Sequence, residues 1–341
     1  MVVFKERRVN FTKKQEKFIN ILCFIVEMDK IDLKILRLLD KNARISLTQM
    51  ARELRLSVQI VEYRLERMKE DGVLLGSRAV IDNAKWGYRY YKILLKFVAL
   101  GRDQEEAWKK WVRGRGEVIW FGMCEGEWSA MVSVRVRNFT ELSDFEYDLL
   151  VEFGALVLQK EWLTVAVSRR FNRKFLYDLG KFVYELRHDF FTPAEYVGEK
   201  DQVLLMELAK DGRVRLTQLA EKVHLSAEAV GARLRTLVSR NIIMAYRPKI
   251  NYTKFGLQNY ELFLATKNPQ VRAKIMEYYR QHARGDTIME LVGRYDLQVT
   301  VLLGSAGEFR EVLADFRDRF GSDVMEYHPL TMYQEFFEGK K

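Results

Sequence analysis

The sequence predicts an α+β fold in which a helical unit followed by a β-α-β-β-α-β unit occurs twice in one chain. Three observations support this prediction: a long internal repeat, helical spacing of apolar residues at the start of each copy, and alternating short strand and helix patterns in the rest. The chain has 341 residues, of which 48% are hydrophobic and only four are prolines. This length and composition are sufficient for two to four domains with buried cores.

The repeat is long and mostly free of gaps. Residues 32–95 recur as 201–264, at an offset of 169 positions, and beyond them the offset falls to 167. The period is far longer than that of a solenoid, so the chain is predicted to be a tandem of two-part modules.

The first part of each copy predicts three short helices with a tight turn between the second and the third. In the first copy the turn is Leu56-Ser57, and Ser57 is expected to cap the third helix because its hydroxyl can accept a hydrogen bond from an unpaired amide. The second copy has the same turn at Leu225-Ser226. This pattern is typical of a helix-turn-helix, whose third helix enters the major groove of DNA by its N-terminal end. A short apolar segment after each unit indicates a wing, as in a winged helix, or a connecting strand.

The second part of each copy has the order β-α-β-β-α-β, which is the ferredoxin-like arrangement. In the first copy strands are expected at about 90–100, 117–124, 128–137 and 157–168, and helices at about 103–113 and 140–153. In the second copy strands are expected at about 259–267, 287–293, 297–303 and 324–336, and helices at about 269–282 and 307–320. Helices cover one face of such a sheet, so the other face needs a partner, which the second copy can supply.

These patterns divide the chain into six segments. They are an N-terminal extension at 1–28, a first helix-turn-helix domain at 29–76, a first ferredoxin-like domain at 77–170, a helical linker at 171–197, a second helix-turn-helix domain at 198–245 and a second ferredoxin-like domain at 246–341. The linker is predicted as an amphipathic helix because apolar residues from Phe171 to Leu186 alternate with charges before Thr192-Pro193. For residues 1–27 two interpretations stay open: a short amphipathic helix on the body, or a native start at Met28.

Composition narrows the classes of function. The formal net charge of +10 favours a polyanionic partner, although a basic surface alone gives the same charge. Two cysteines do not build a disulfide framework and fit a cytoplasmic protein, while four histidines leave little room for a metal site. The apolar run at 18–26 is too short to span a membrane, and no cleavage site of a signal peptide follows it.

Several short motifs occur in the same order in both copies. They are Leu47-Thr-Gln-Met-Ala-Arg-Glu-Leu54 with Leu56-Ser57 in the first copy, and Leu216-Thr-Gln-Leu-Ala-Glu-Lys-Val223 with Gly293-Arg-Tyr-Asp296 in the second. In order and spacing they resemble the Lrp/AsnC (feast/famine) family of transcription regulators. The resemblance implies a helix-turn-helix for DNA and a ferredoxin-like (ACT-like) domain that pairs subunits and, in many members, binds amino acids. Most members carry one module per chain, so this chain resembles a fused dimer.

The third helix of each helical unit supplies the candidate DNA contacts. In the first unit they are Ser57, Gln59, Ile60, Tyr63, Arg64 and Arg67. Gln can pair with adenine, Arg can contact guanine or phosphate, and Ile can contact a thymine methyl group. The alternative is a solvated helix face on which Arg64 pairs with Glu62 or Glu66.

The second helical unit is predicted to bind DNA more weakly. Its candidate contacts are Ser226, Arg233 and Arg235, but Glu228 lies near the helix start where phosphates would approach. Residues 30–70 hold ten Lys and Arg against six Asp and Glu, whereas 199–239 hold seven against six. Because each neutralised phosphate adds to affinity, the first unit is expected to bind more tightly. The alternative is a second unit with a purely structural role.

The resemblance also implies an effector site at Gly293, Tyr295 and Asp296. A small zwitterion needs an acceptor for its ammonium group, and Asp296 is such an acceptor. The first copy has Ser129 in the corresponding place, which makes a site there doubtful. The alternative is that both loops are tight turns that need glycine.

Taken together, the sequence predicts a sequence-specific DNA-binding transcription regulator that responds to a small effector such as an amino acid. Its expected partners are double-stranded DNA and that effector, its two copies form an intramolecular pseudo-dimer, and further self-association stays open. No catalytic residue, metal or cofactor is predicted. Two alternatives remain: an effector-binding assembly protein without DNA contact, and an enzyme like the sirohaem decarboxylases, which resemble this family and process a tetrapyrrole. Such an enzyme would need histidines gathered in a ferredoxin-like half, where only His282 and His328 occur.

Overall fold

A computed structural model describes residues 28–177 and 180–337; the predicted extension at 1–27 lies outside the described residues. The helices are α1 Lys30–Lys41, α2 Leu47–Leu54, α3 Val58–Glu70, α4 Arg102–Gly114, α5 Phe139–Phe153, α6 Glu199–Lys210, α7 Leu216–Val223, α8 Ala227–Ser239, α9 Pro269–Gln281 and α10 Ala306–Phe320. The strands are β1 Leu74–Ile81, β2 Arg89–Phe97, β3 Val118–Gly126, β4 Ala130–Val136, β5 Val157–Phe171, β6 Glu185–Asp189, β7 Ile243–Ile250, β8 Gln258–Thr266, β9 Gly285–Val292, β10 Leu297–Leu303 and β11 Val324–Phe337. The elements predicted for the two β-α-β-β-α-β units lie within three residues of these bounds.

Side-chain caps define the helices of the first helical unit. Asp29 begins α1 by accepting hydrogen bonds from the amides of Ile31 and Asp32, at 2.7 and 2.9 Å. Ser46 caps α2, with its Oγ 3.1 Å from the amide nitrogen of Gln49, and Ser57 caps α3 in the same way. These caps satisfy amides that have no partner inside their helix, so the sequence sets where each helix starts.

The two helical units are held together by strands that belong to opposite halves of the chain. β1 and β7 pair antiparallel in a two-stranded ribbon, in which Arg78 lies opposite Arg247. The core of the first unit includes Ile250 from β7, and the core of the second unit includes Ile81 from β1. The apolar segment after each helix-turn-helix is therefore a connecting strand, and each helical unit packs on the strand of the other half.

The remaining strands form one closed antiparallel sheet. The order is β2-β4-β3-β11-β8-β10-β9-β5, and β5 also pairs with β2, which closes a barrel of eight strands; β6 adds to β5. The two predicted ferredoxin-like domains are therefore not confirmed as separate sheets: the four strands of each half keep the same relative order, β5-β2-β4-β3 and β11-β8-β10-β9, and join in one barrel. The reason is the length of β5 and β11, whose first parts pair within their own half and whose last parts pair with β9 and β3 of the other half.

The barrel wall separates apolar cores on its two faces. Side chains alternate along each strand, so Ile93 and Leu95 face the helices α4 and α5 while Leu94 faces the interior. Helices α9 and α10 cover the second half in the same manner. The interior core also contains Trp128 and Tyr295, one from each copy.

The predicted helical linker at 171–197 is wrong. Among the described residues of this range the structure has a short 3₁₀ turn at Lys174–Leu176 and the strand β6, and no α-helix. Buried Asn172 turns the chain, because its Oδ1 accepts from the amide of Val183 at 2.8 Å and its Nδ2 donates to the carbonyl of Lys181 at 2.9 Å. Gly180 adopts a left-handed φ of +63°, which a continuous right-handed helix excludes.

Within 28–177 and 180–337, no helix combines the length and the apolar character needed to cross a bilayer.

Candidate nucleic-acid interface

The leading end of α3 is exposed and carries the predicted base-contacting residues. Val61 and Leu65 point into the core, so the opposite face of the helix is turned outward. On this face Gln59 is exposed, Ile60 is 43% exposed and Tyr63 is 67% exposed. An amide, an aliphatic group and a phenol therefore project from the first two turns of a helix, which is the part that enters a major groove.

Arg64 and Arg67, which were predicted to contact DNA, form ion pairs within the protein. Both donate to Asp32, which is only 1% exposed, and Arg64 also pairs with Asp29; the distance from Arg64 Nη1 to Asp32 Oδ1 is 2.9 Å. The hydrogen bonds to Asp29 and Asp32 raise the pKa of Arg64. The two guanidinium groups join α3 to the start of α1. Within the described residues the ion-pair partners of Arg64 are Asp29 and Asp32, and not the alternative partners Glu62 and Glu66; Glu66 pairs with Lys69.

The same ion pair recurs in the second helical unit. Arg233 Nη1 lies 3.1 Å from Asp201 Oδ1, and these two residues correspond to Arg64 and Asp32 at the offset of 169. Ser226 caps α8, with Oγ 3.2 Å from the amide nitrogen of Ala229, and Arg235 is exposed. Two of the three residues predicted to contact DNA here thus hold the unit together.

Glu228 is exposed on the first turn of α8 and gives that turn a negative charge. Its own backbone amide and Ser226 donate hydrogen bonds to it, which lowers the pKa of the Glu228 carboxyl group. A fixed negative charge at this position opposes a phosphate.

Two basic residues missed in the sequence reasoning lie beside α3. Arg52 and Arg55 are exposed at the end of α2 and in the turn that leads to α3, and neither forms an ion pair with any residue of the described part of the chain. Arg55 has a left-handed φ of 57°, which ends α2. The corresponding residues of the second unit are Glu221 and His224, so an alignment of the repeats contains the signal that identifies them.

Reciprocal arginines fix the two helical units to each other. Arg44 donates to the carbonyls of Gly212 and Val214 at 2.7 and 3.0 Å. The corresponding Arg213 donates to the carbonyls of Ala43 and Ile45 at 2.7 and 2.9 Å. This exchange gives the two third helices a defined relative position.

The predicted effector loop packs tightly against the other half of the barrel. Gly293 has a φ of +147°, and a Cβ atom at this position would lie 2.7 Å from Leu163 Cδ2. The corresponding Gly126 has a φ of +139° and the same close approach to Leu330. This geometry fits the alternative of tight turns that need glycine.

Tyr295 and Asp296 are both engaged within the protein. Tyr295 is fully buried in the barrel, which raises its pKa to about 12, and its hydroxyl accepts from Trp128 Nε1 at 3.4 Å. Asp296 Oδ2 accepts from the hydroxyl and the amide of Thr266, at 2.6 and 3.1 Å. Asp296 Oδ1 is buried without a hydrogen-bond partner in the described part of the structure. An effector site at these residues remains a prediction.

Comparison with known proteins agrees with the two helical units and with the whole-chain fold. The family described as winged helix-turn-helix DNA-binding matches residues 28–74, and the AsnC-type helix-turn-helix domain matches residues 199–238. A crystal structure of the siroheme decarboxylase NirDL superimposes with a TM-score of 0.64 at 16% identity, covering 91% of this chain and 93% of that one. At this identity the likeness concerns the fold.

Curated relatives match single modules of the chain. The regulatory protein AsnC of Haemophilus influenzae is 30% identical over 115 residues, which is 34% of this chain and 76% of the relative. The transcriptional regulator Ptr1 of Methanocaldococcus jannaschii is 30% identical over 118 residues, which is 35% of this chain and 78% of the relative. The chain therefore belongs to the Lrp/AsnC family and carries the helix-turn-helix of that family twice.

Proposed function

We propose that this protein is a sequence-specific DNA-binding transcription regulator in which the first helical unit contacts bases. The observation that carries the proposal is the exposure of Gln59, Ile60 and Tyr63 on the leading turns of α3. Arg52 and Arg55 flank this face and can neutralise phosphates, which position a protein on the duplex. The second unit, with Glu228 on its leading turn, contributes mainly backbone contacts through Arg235.

The test is DNA binding by the full chain and by the variant Q59A/Y63A, measured by fluorescence anisotropy on the DNA upstream of its own gene. Each base contact contributes about 1–3 kcal/mol, so losing two should weaken specific binding by about 30-fold or more. Binding to unrelated DNA should change little, because phosphate contacts remain.

The matched control is E228Q, which changes the residue of the second unit that corresponds to Gln59. This variant should keep or modestly increase affinity, since a negative charge near the phosphates is removed. Unchanged specific binding by Q59A/Y63A would assign base contact to another surface.

We further propose that a small zwitterion such as an amino acid regulates the protein through the loop that contains Asp296. Support comes from Asp296 Oδ1, a buried acceptor without a partner in the part of the chain that the structure describes. Calorimetric titration with each of the twenty amino acids should give saturable heat for at least one of them. The absence of heat from all twenty would remove the amino acid as effector.

We propose that the protein acts without catalysis. Its histidines support this: His188 is bonded to Asp82 at 2.8 Å, His224 lies in the helix-turn-helix, and His282 and His328 lie on different elements of the second half. Since the NirDL structure shares the fold, the purified chain should be mixed with iron-uroporphyrin III. An unchanged absorption spectrum is expected, and a shifted one would favour the enzyme.

A further inference from the structure

One end of the barrel interior is charged, and the two copies of the repeat supply opposite charges. The cationic side chains there are Lys92 and Arg170, both from the first copy; Arg247 of the second copy also acts on Arg170, from the ribbon strand β7. The carboxylates that interact with them are Glu261, Asp286 and Glu335, all from the second copy. The interior is therefore asymmetric although the fold is repeated.

Lys92 and Glu261 are the same position of the repeat. They are related by the offset of 169 and lie on β2 and β8, which are separated by three strands in either direction around the barrel. Lys92 is 2% exposed and Glu261 is 3% exposed. The pair consequently faces across the barrel interior from opposite walls, with no ion pair shorter than 4 Å formed by either residue within the described chain.

The other charges have no like-charged counterpart. At the offset of 167, Glu335 corresponds to Ser168, and Asp286 corresponds to Ile119. Arg170 corresponds to a phenylalanine of the second copy. No interior charge is therefore duplicated by the repeat.

Neutral donors from several strands hold the two central carboxylates in place. Glu261 Oε2 accepts from Gln298 Nε2 at 2.8 Å and from Thr300 Oγ1 at 2.9 Å. Glu335 Oε1 accepts from Asn259 Nδ2 at 3.0 Å and from the indole of a nearby tryptophan at 3.2 Å. These bonds fix the anions where the first copy presents its cations.

The cation of the first copy is placed by an aromatic ring. Lys92 Nζ lies 4.9 Å from the ring centre of Trp120, which is the indole that donates to Glu335. A charge buried in this way is costly unless an opposite charge faces it.

We propose that these interior charges act as a pairing code that lets each half of the barrel accept the other half and reject a second copy of itself. Two first halves would place a lysine at both equivalent positions of the interior, and two second halves would place a glutamate at both. Like charges at such a site oppose each other strongly. The interior face of the first half is thus complementary to a partner that carries the interior carboxylates of the second half.

The full chain allows a direct test, because single charge reversals imitate the rejected pairings. K92E places glutamates at both equivalent positions, and E261K places lysines at both. Each should lower the thermal unfolding midpoint by roughly 10 °C, the shift expected for an uncompensated buried charge. The double variant K92E/E261K restores opposite charges and should recover at least half of either loss.

The matched control is the exchange L94F/F263L at the neighbouring equivalent positions, which changes interior shape without charge. Its midpoint should fall by less than that of either single reversal. If K92E/E261K unfolds at or below the lower of the two single variants, or is insoluble while L94F/F263L folds, the pairing code is refuted.

A milder set covers the case in which the reversals do not fold. K92Q and E261Q each leave one buried charge unopposed, and K92Q/E261Q removes both. We expect the double variant to be more stable than the sum of the single effects predicts, because the two sites are coupled. Additive effects in this set would overturn the proposal.

Discussion

At the scale of single residues, Gly126 and Gly293 determine how closely the two halves approach. Both have a positive φ, and both face a leucine of the opposite half at the point where a long strand crosses over. A side chain at either position would be strained in its backbone and would also collide with that leucine. The repetition of this contact in both copies makes it part of the barrel's design.

We expect G293A to destabilise the protein by about 2–4 kcal/mol, the sum of backbone strain and overpacking. Urea unfolding of the full chain would measure the change. The control is G116A, because a Cβ atom there meets nothing within 4 Å and the φ angle is ordinary. Equal stability of the two variants would mean that the loop relaxes without cost.

The exposed face of α3 could be predicted residue by residue, but the ion-pair partners of Arg64 and Arg67 could not. Helical spacing alone turns Gln59, Ile60 and Tyr63 away from Val61 and Leu65, and the structure has them exposed. The partner of Arg64 is Asp32, which lies on another helix and becomes visible only when the helices pack. A basic residue near a recognition helix therefore needs its partners known before it is assigned to DNA.

At the scale of elements, the positions of the helices and strands could be predicted from local patterns, whereas the structure of the linker could not. Phe171 to Leu186 has amphipathic spacing, yet Asn172 and Gly180 turn the chain and β6 pairs with β5. The linker also returns to the first helical unit, where Arg173 and Tyr184 bond the fully buried Asp40 at the end of α1. Such long-range contacts overrode the local preference for helix.

The end of α2 and the turn after it are expected to set the salt dependence of DNA binding. Each phosphate contact contributes about 0.9 to the slope of log K against log salt concentration, so R52A/R55A should reduce the slope by about 1.8. Anisotropy titrations at several salt concentrations would measure it.

The control for this prediction is E221A/H224A, at the corresponding positions of the second unit. It should leave the slope within about 0.5 of the native value, because no phosphate-binding cation is removed. An unchanged slope in R52A/R55A would show that these arginines do not reach phosphates.

At the scale of the whole molecule, the eight-stranded closure was not predictable from element patterns. Those patterns give strand positions, but the pairing of β5 with β9 and of β11 with β3 depends on which edges meet in space. β5 and β11 are longer than pairing within one half requires. Their length is the local sign that they cross into the other half. The duplication, which any self-comparison of the sequence reveals, carried most of the architectural prediction.

The burial of Glu261 and Lys92 in the barrel predicts that their contribution to the free energy of unfolding has a minimum near neutral pH. Burial raises the pKa of Glu261 to about 7 and lowers the pKa of Lys92 to about 8. Between pH 4.5 and 7 the folded state binds more protons at Glu261, so the free energy of unfolding falls as pH rises. Between pH 8 and 10.5 the unfolded state binds more protons at Lys92, so it rises again.

Urea unfolding at pH 5, 7.5 and 9.5 would test this profile against E261Q. The variant lacks the carboxyl group and should lose the decline on the acid side while keeping the rise on the alkaline side. Parallel profiles for the variant and the native chain would show that Glu261 does not titrate in this range.

The ribbon of β1 and β7 has a consequence for what the two modules can do apart. Each helical unit packs on the strand of the other half, and β5 and β11 cross between the halves of the barrel. The two modules are therefore held together by contacts, and an unbroken peptide at Tyr196 is not needed to hold them. A protease that nicks this peptide at the exposed Tyr196 would release two fragments on a denaturing gel and still leave one intact particle in native buffer. Neither fragment can replace the other, because each buries part of its apolar surface only against the other fragment.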